Sequence, residues 1–226
     1  MNQSEKNYKY LGTLSVFFVS ILLISNVAST KIVDFGLFTF DGGTLLFPLS
    51  YIFGDILTEV YGYKKTREVI WIGFFSALMM SIIFIIVGKL PAAPGWDNQN
   101  AYDAILGLTP RIVIASLFAY ICGSFSNSFI LAKMKLWTSG KYLWTRTIGS
   151  TVVGEFIDST LFILIAFLGI LPTSLLFTLI VSNYIFKTLV EVIFTPITYK
   201  TINFLKINEN EDFYDKDTNF NPFVSK

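Results

Sequence analysis

The chain has 226 residues, of which 53% are hydrophobic, 17% aromatic and only 15% charged, with a formal net charge of +1. Soluble domains carry about 25% charged residues, and a mean hydropathy of +0.60 points to an integral membrane protein instead, while the near-neutral charge argues against a nucleic-acid partner. There is no histidine and a single cysteine, Cys122, which excludes histidine-dependent triads, HExxH metal sites, histidine proton relays, an intrachain disulfide and a thiolate metal cluster.

A membrane-crossing helix needs about 20 mostly apolar residues. Six stretches qualify, at 10–30, 44–62, 69–90, 111–132, 147–171 and 174–200. Their apolar runs are continuous and do not alternate at period two, so the predicted fold class is all-α, a six-helix polytopic membrane protein. Residues 1–206 form the membrane domain, and residues 207–226 read as a polar, mobile cytoplasmic tail. The first stretch follows Lys6 and Lys9 and ends near Val27-Ala28-Ser29, as a signal peptide would. Its apolar run is longer than the 7–15 residues of a signal core, so it reads as a retained helix. The stretch at 44–62 is the least apolar, with Pro48, Gly54, Asp55 and Glu59, and is expected to face the bundle interior.

The longest external loop, from Lys89 to Pro110, is rich in Pro, Gly and Asn. An amphipathic piece from Trp96 to Leu106 is expected to lie on the membrane surface or over a cavity. Orientation follows the basic residues. One side receives Lys6, Lys9, Lys64, Lys65, Arg67, Lys133, Lys135, Lys141, Arg146, Lys200 and Lys206, the other only Lys31, Lys89 and Arg111. Both termini are therefore expected in the cytoplasm. Asn26 and Asn127 lie 101 residues apart, and Gly54-Asp55 and Gly154-Glu155 lie 100 apart, spacings compatible with an inverted three-plus-three repeat.

Six ionisable groups fall inside apolar stretches: Asp55, Glu59, Glu155, Asp158, Lys187 and Glu191. A charge near a bilayer centre costs roughly 2.5–3.5 kcal/mol on insertion scales, so such groups pair, protonate or face a cavity. Asp55 and Glu59 are four apart and Glu155 and Asp158 three apart, so each pair shares a helix face. At about 1.5 Å per residue from Thr147, Glu155 and Asp158 sit roughly 12 and 16 Å into the bilayer. Glu59 lies close enough to the cytoplasmic end to reach Lys64, Lys65 or Arg67. Lys187 and Glu191, four apart, either neutralise each other or leave Lys187 to balance Asp158 or Asp55. Asn26, Asn127 and Asn183 add amides, as helix-packing contacts or as ligand contacts beside the acids. Tyr51, Tyr120, Phe156 and Tyr184 supply aromatic walls. Arg111, at the outer end of the fourth stretch, is an interfacial anchor or an ion-pair partner. Acids, amides and aromatics together suit a small planar heterocycle rich in N–H donors, because one carboxylate accepts adjacent N–H groups as acids do in base reading.

The segments FPLSYIFGDILTEVYGYKKTR, RIVIASLFAYICGSFSNSFI, GEFIDSTLFILIAF and NYIFKTLVEVIFTP resemble the vitamin-uptake-transporter family, which includes transporters of queuosine precursors. The similarity runs from about Ser20 to Tyr199. It implies a six-helix protein of the bacterial inner membrane that imports 7-deazaguanine bases (7-cyano-7-deazaguanine, 7-aminomethyl-7-deazaguanine or queuine) for tRNA modification. It carries over the polar positions Asn26, Asp55, Arg111, Tyr120, Asp158, Tyr184 and Lys187, and extends no role to Glu59, Glu155 and Glu191.

The residues and the resemblance together lead to a transporter with a substrate site drawn from Asn26, Tyr51, Asp55, Tyr120, Glu155, Asp158, Tyr184 and Lys187. Asp158 and Glu155 accept the ring N–H groups, Asp55 binds a second polar group or carries a proton, and Lys187 balances charge. Glu59, Arg111, Asn127 and Glu191 are coupling or structural groups. No metal and no cofactor are expected. Partners are the heterocyclic substrate, the lipid bilayer, and either further copies of the chain or an energy-coupling module. In the latter case the chain is a substrate-binding subunit, since it has no GxxxxGK[ST] of its own. An intramembrane aspartyl enzyme on Asp55 and Asp158 is the remaining reading, without a GxGD context to support it.

Overall fold

The computed structural model describes residues 7–34, 39–107 and 110–224. Lys6 of the charge count and the last two residues of the tail lie outside them. The chain begins with α1 (Leu11–Ala28), followed by a short antiparallel hairpin of β1 (Ile32–Asp34) and β2 (Thr39–Asp41) and a 3-10 turn (Gly42–Leu45). Then come α2 (Phe47–Tyr61), α3 (Tyr63–Gly88), α4 (Gln99–Leu106), α5 (Pro110–Trp137), α6 (Leu143–Phe167) and α7 (Thr173–Glu209). Helices satisfy their own backbone groups, as a hydrocarbon environment demands. The large side chains Phe17, Ile72, Phe75, Met79, Phe118, Leu189 and Ile193 face outward, the inside-out pattern of a lipid-facing surface.

Five helices are long and apolar enough to cross a membrane: α1, α3, α5, α6 and α7. The expected span at 44–62 differs. Its helix, α2, has 15 residues, about 22 Å at 1.5 Å per residue, against a hydrocarbon core of about 30 Å. The rest of the stretch is the 3-10 turn. Irregular backbone at membrane depth survives where protein or a cavity covers it, and α2 is covered: Tyr51, Ile52, Asp55, Ile56, Leu57, Thr58, Glu59, Val60 and Tyr61 are all buried. Phe18 and Leu22 of α1, Val69 and Ile70 of α3, and Ile202 and Leu205 of α7 pack around it. A short Pro-started helix surrounded by long ones holds two acids at fixed depth.

The α5–α6 hairpin is the most extensive helix pair. Two glycines make the close approach possible. A Cβ on Gly154 would lie 3.2 Å from the Gly123 carbonyl oxygen and 2.8 Å from Asn127 Cβ. A Cβ on Gly54 would meet only Phe18, at 3.8 Å, so the Gly54/Gly154 echo in the sequence does not extend to the packing. The α1 N-terminus and the ends of α2 and α7 meet on one side, where Glu209 accepts hydrogen bonds from the Tyr10 and Lys9 amides and the Tyr61 hydroxyl.

Residues 207–224 make several contacts with the bundle. Residues through 209 continue α7, and the chain then folds back over the α2–α3 turn. The Phe213 amide donates to the Val60 carbonyl, and Asp215 accepts from the Tyr63 amide at 3.1 Å. Arg67 donates to the carbonyls of Asn219 and Asn221, and Trp71 to that of Pro222. Gly62 (φ +86°) and Gly140 (φ +77°) leave the space that the Phe213 and Tyr214 rings occupy. The polar composition of the tail hid these anchors, which are backbone groups, the Asp215 carboxylate and aromatic rings.

Candidate functional site

Two groups of buried charge lie at opposite ends of the bundle. On the side of the termini, Glu59 is fully buried and receives Arg146 through both oxygens, Nε to Oε2 at 2.7 Å and Nη2 to Oε1 at 2.8 Å. Lys206 also donates to Oε1. Lys135, 1% exposed, bridges the Glu59 and Phe213 carbonyl oxygens (2.6 and 2.8 Å) and Asp212. Burial pushes the Asp212 carboxyl up, but the Lys135 and Lys206 ammonium groups outweigh it and hold it below the usual carboxylate range. Two of the three partners expected for Glu59 are engaged elsewhere: Lys65 pairs with Glu68, and Arg67 holds the tail. Arg146, Lys135 and Lys206 were visible in the sequence only as topology charges, and Asp212 only as part of the polar tail. A buried acid in want of a cation was the signal, but tertiary packing chose which.

On the other side, the ends of α1 and α6 and the first halves of α5 and α7 surround a cavity with about 660 Å³ of empty space, counting its open mouth. Asn26 of α1, Ser29 just after it, Gly43 and Thr44 of the 3-10 turn, and Phe47 of α2 line it. So do Ser116 and Tyr120 of α5, Asp158, Ser159 and Phe162 of α6, and Asn183 and Lys187 of α7. The short α2 makes this possible, since a full-length helix would carry its first turn through the space. Asp158 is 4% exposed and its Oδ2 accepts from Lys187 Nζ at 2.7 Å. Lys187 lies 3.2 Å from Glu155 Oε2 and 4.4 Å from the centre of the Phe47 ring. Lys187 therefore balances α6, and the intrahelical pair with Glu191 does not form. Asn26 donates its amide N–H to the Leu22 carbonyl, and Asn183 donates to that of Leu179. Thr44 and Asn183 are joined at 3.4 Å.

Of the eight expected substrate residues, Asn26, Tyr120, Asp158 and Lys187 line the cavity. Glu155 lies behind Lys187. Tyr51 is buried between Gly123 and Gly154, its hydroxyl 3.4 Å from the Gly154 carbonyl. Asp55 is deeper, accepting from Asn127 Nδ2 at 2.6 Å. Tyr184 is set edge-on against Phe156, itself 53% exposed, on the outer surface of the bundle. Asp55 and Asp158 thus have different partners, Asn127 and Lys187. Arg111 is an anchor of a different kind from the two expected: its guanidinium donates to the Ile165 and Leu168 carbonyls, both at 2.6 Å, and closes the α6 C-terminus. Thr44, Phe47, Ser116 and Phe162 were not foreseen. They carry no charge, and among so many aromatic and hydroxyl residues nothing local marks them.

The model of the family described as "Putative vitamin uptake transporter" matches residues 41–201. The chain belongs to this family. It is 30% identical over 200 residues to a "Probable queuosine precursor transporter" of Bacillus subtilis, covering 85% of each chain. It is 23% identical over 193 residues to the "Queuosine precursor transporter" of Escherichia coli, covering 84% of each. A "Probable queuosine precursor transporter" of Haemophilus influenzae is 27% identical over 128 residues, 55% of this chain and 51% of its own. No solved structure matches.

Proposed function

We propose that this multi-pass member of the vitamin-uptake-transporter family imports queuosine precursors, 7-deazaguanine bases, across the bacterial inner membrane with both termini in the cytoplasm. The observation that carries this reading is the Asp158–Lys187 pair on the wall of a cavity that also offers amides and aromatic rings. Lys187 occupies one oxygen of Asp158. The remaining lone pairs accept the adjacent ring and amino N–H groups of a guanine-like edge. Phe47, Phe162 and Tyr120 supply faces for a flat ring, and Asn26 and Asn183 supply polar contact to a 7-substituent. The names of the relatives support the same substrate class. Lys187 holds the Asp158 side chain in place at the cavity wall.

The test is uptake in cells that lack both synthesis and import of these bases and express this chain alone, with queuosine in tRNA as readout. Saturable restoration that is lost in Asp158→Ala, with the variant still in the membrane, is the expected result. Well-expressed protein that binds the base when purified but restores nothing identifies a substrate-binding subunit that needs an energy-coupling module. Protein that neither binds nor restores overturns the substrate class.

A further inference from the structure

Between the cavity and the Glu59 network lies a third polar layer that neither uses. Asp55 of α2, Asn127 of α5 and Glu191 of α7 are 0%, 2% and 1% exposed. Asp55 Oδ1 accepts from Asn127 Nδ2 at 2.6 Å. The other oxygen of each group, Asp55 Oδ2 and Asn127 Oδ1, has no hydrogen-bond partner, and neither has either oxygen of Glu191. Glu191 interacts electrostatically with Asp55 and with Glu155.

The cations nearby are committed. Lys187 serves Asp158 and Glu155, and Arg146, Lys135 and Lys206 serve Glu59, one helical turn from Asp55. Two like charges left in a low-dielectric interior repel, and each costs several kcal/mol in lost hydration. A bound cation removes that cost. Among the described residues no trio of acids or cysteines stands close enough to hold a metal ion. A proton fits better. With hydrogen on Oδ2, the Asp55 carboxyl becomes one donor and one acceptor, the complement of a primary amide. An acid–amide pair of this kind would give each of the two orphaned oxygens a partner.

We propose that Asp55 and Glu191 form a proton-binding pair beneath the substrate cavity, positioned by Asn127, and that its loading and release drive substrate import. This rests on the transport reading above. Tyr51 is the link to the cavity. Its hydroxyl abuts Gly123, whose Cβ, if present, would lie 2.9 Å from Asp158 Cβ. Tyr51 lies within electrostatic range of Asp158, Glu155, Tyr120 and Asp55, and a phenol both donates and accepts. The groups facing the pair are Tyr51 and Glu59 from α2, Asn127 from α5, Glu155 from α6 and Lys187 from its own helix α7. Only Lys187 is basic, and Asp158 holds it.

The experiment uses the full chain in liposomes with a labelled 7-deazaguanine base. An inward proton gradient is expected to drive accumulation above the external concentration, and a protonophore to abolish it. In Glu191→Gln, gradient-driven accumulation is expected to fall to the equilibrium level while counterflow, which needs no net proton movement, persists. Accumulation by the wild-type chain that ignores the gradient, or a Glu191→Gln variant that still responds to it, overturns the inference and leaves transport standing. If the wild-type chain shows no counterflow, the transport reading fails first. The proton pair is then decided by infrared difference spectroscopy on purified protein. The C=O stretch of a protonated, buried carboxylic acid should be present and disappear in Asp55→Asn. Its absence, or its persistence in both Asp55→Asn and Glu191→Gln, overturns the pair.

Discussion

Glu59 and Asp158 are both buried acids facing cations, yet they are built to opposite ends. Glu59 has both oxygens bound by Arg146, one of them also by Lys206, with Lys135 at 3.4 Å. Asp158 has one lysine and an open wall. A buried carboxylate bound on both oxygens by cations from other helices ties those helices together. One left partly unsatisfied at a cavity has capacity for a ligand. The difference is drawn by the same short helix, since α2 carries Glu59 at its closed end and leaves space at its open end.

The sharpest way to break this comparison is Arg146→Ala. It strands Glu59 without its two-point partner and should cost about 3–5 kcal/mol, as removal of one member of a buried pair does. Thermal unfolding in detergent would show it. An unchanged melting temperature would mean that the network is not structural. Asp158→Asn should do the reverse, keeping the fold and reducing uptake by about 10- to 150-fold. That range corresponds to about 1.5–3 kcal/mol for a hydrogen bond to a charged group. Loss of stability matching that of Arg146→Ala would erase the distinction between the two ends.

Asn26→Ala sharpens the cavity end alone. Loss of one neutral contact, about 0.5–1.5 kcal/mol, should raise the KM for uptake by up to about tenfold and leave the maximal rate nearly unchanged. A fall in the maximal rate with unchanged KM would remove Asn26 from substrate binding.

The smallest effect concerns acid and the tail. The Asp212 carboxyl is held below its ordinary range, so its contribution is full above the unfolded value of about 3.9 and lost as pH falls through the lower, folded one. Asp215 has the opposite sign. Burial raises its carboxyl, more than the Thr218 and Tyr63 hydrogen bonds lower it, so acidification relieves a cost there. A spin label on Lys216→Cys, with Cys122→Ser to keep the site unique, should be immobile near neutral pH and loosen only below about pH 4. Loosening at a higher pH would show that Asp212 does not fasten the tail.

Much of the site was legible residue by residue, because a charge in an apolar run stands out whatever surrounds it. Asp55, Glu59, Glu155, Asp158, Lys187 and Glu191 are all buried. Their partners were not legible. Glu59 passed over the lysines closest in sequence for Arg146, 87 residues away. Lys187 turned from Glu191, one turn along its own helix, to Asp158 on α6. Tyr184, one of many aromatics, packs against the exposed Phe156 and does not line the cavity, because the phase of α7 against α6 decides which side of a helix meets the bundle.

The sequence by itself determined that this is a helical membrane protein of a particular family, where its long helices run, and which acids they bury. Composition and hydropathy act locally and sum along the chain, so they survive without coordinates. Only the tertiary structure decided that the second stretch is a 15-residue interior helix, that the polar tail is fastened to the helix ends, and which acid is sealed, which faces a cavity and which lacks a cation. Those outcomes depend on distances between groups remote in sequence, and electrostatic and hydrogen-bond energies are set by distance and burial rather than by residue type.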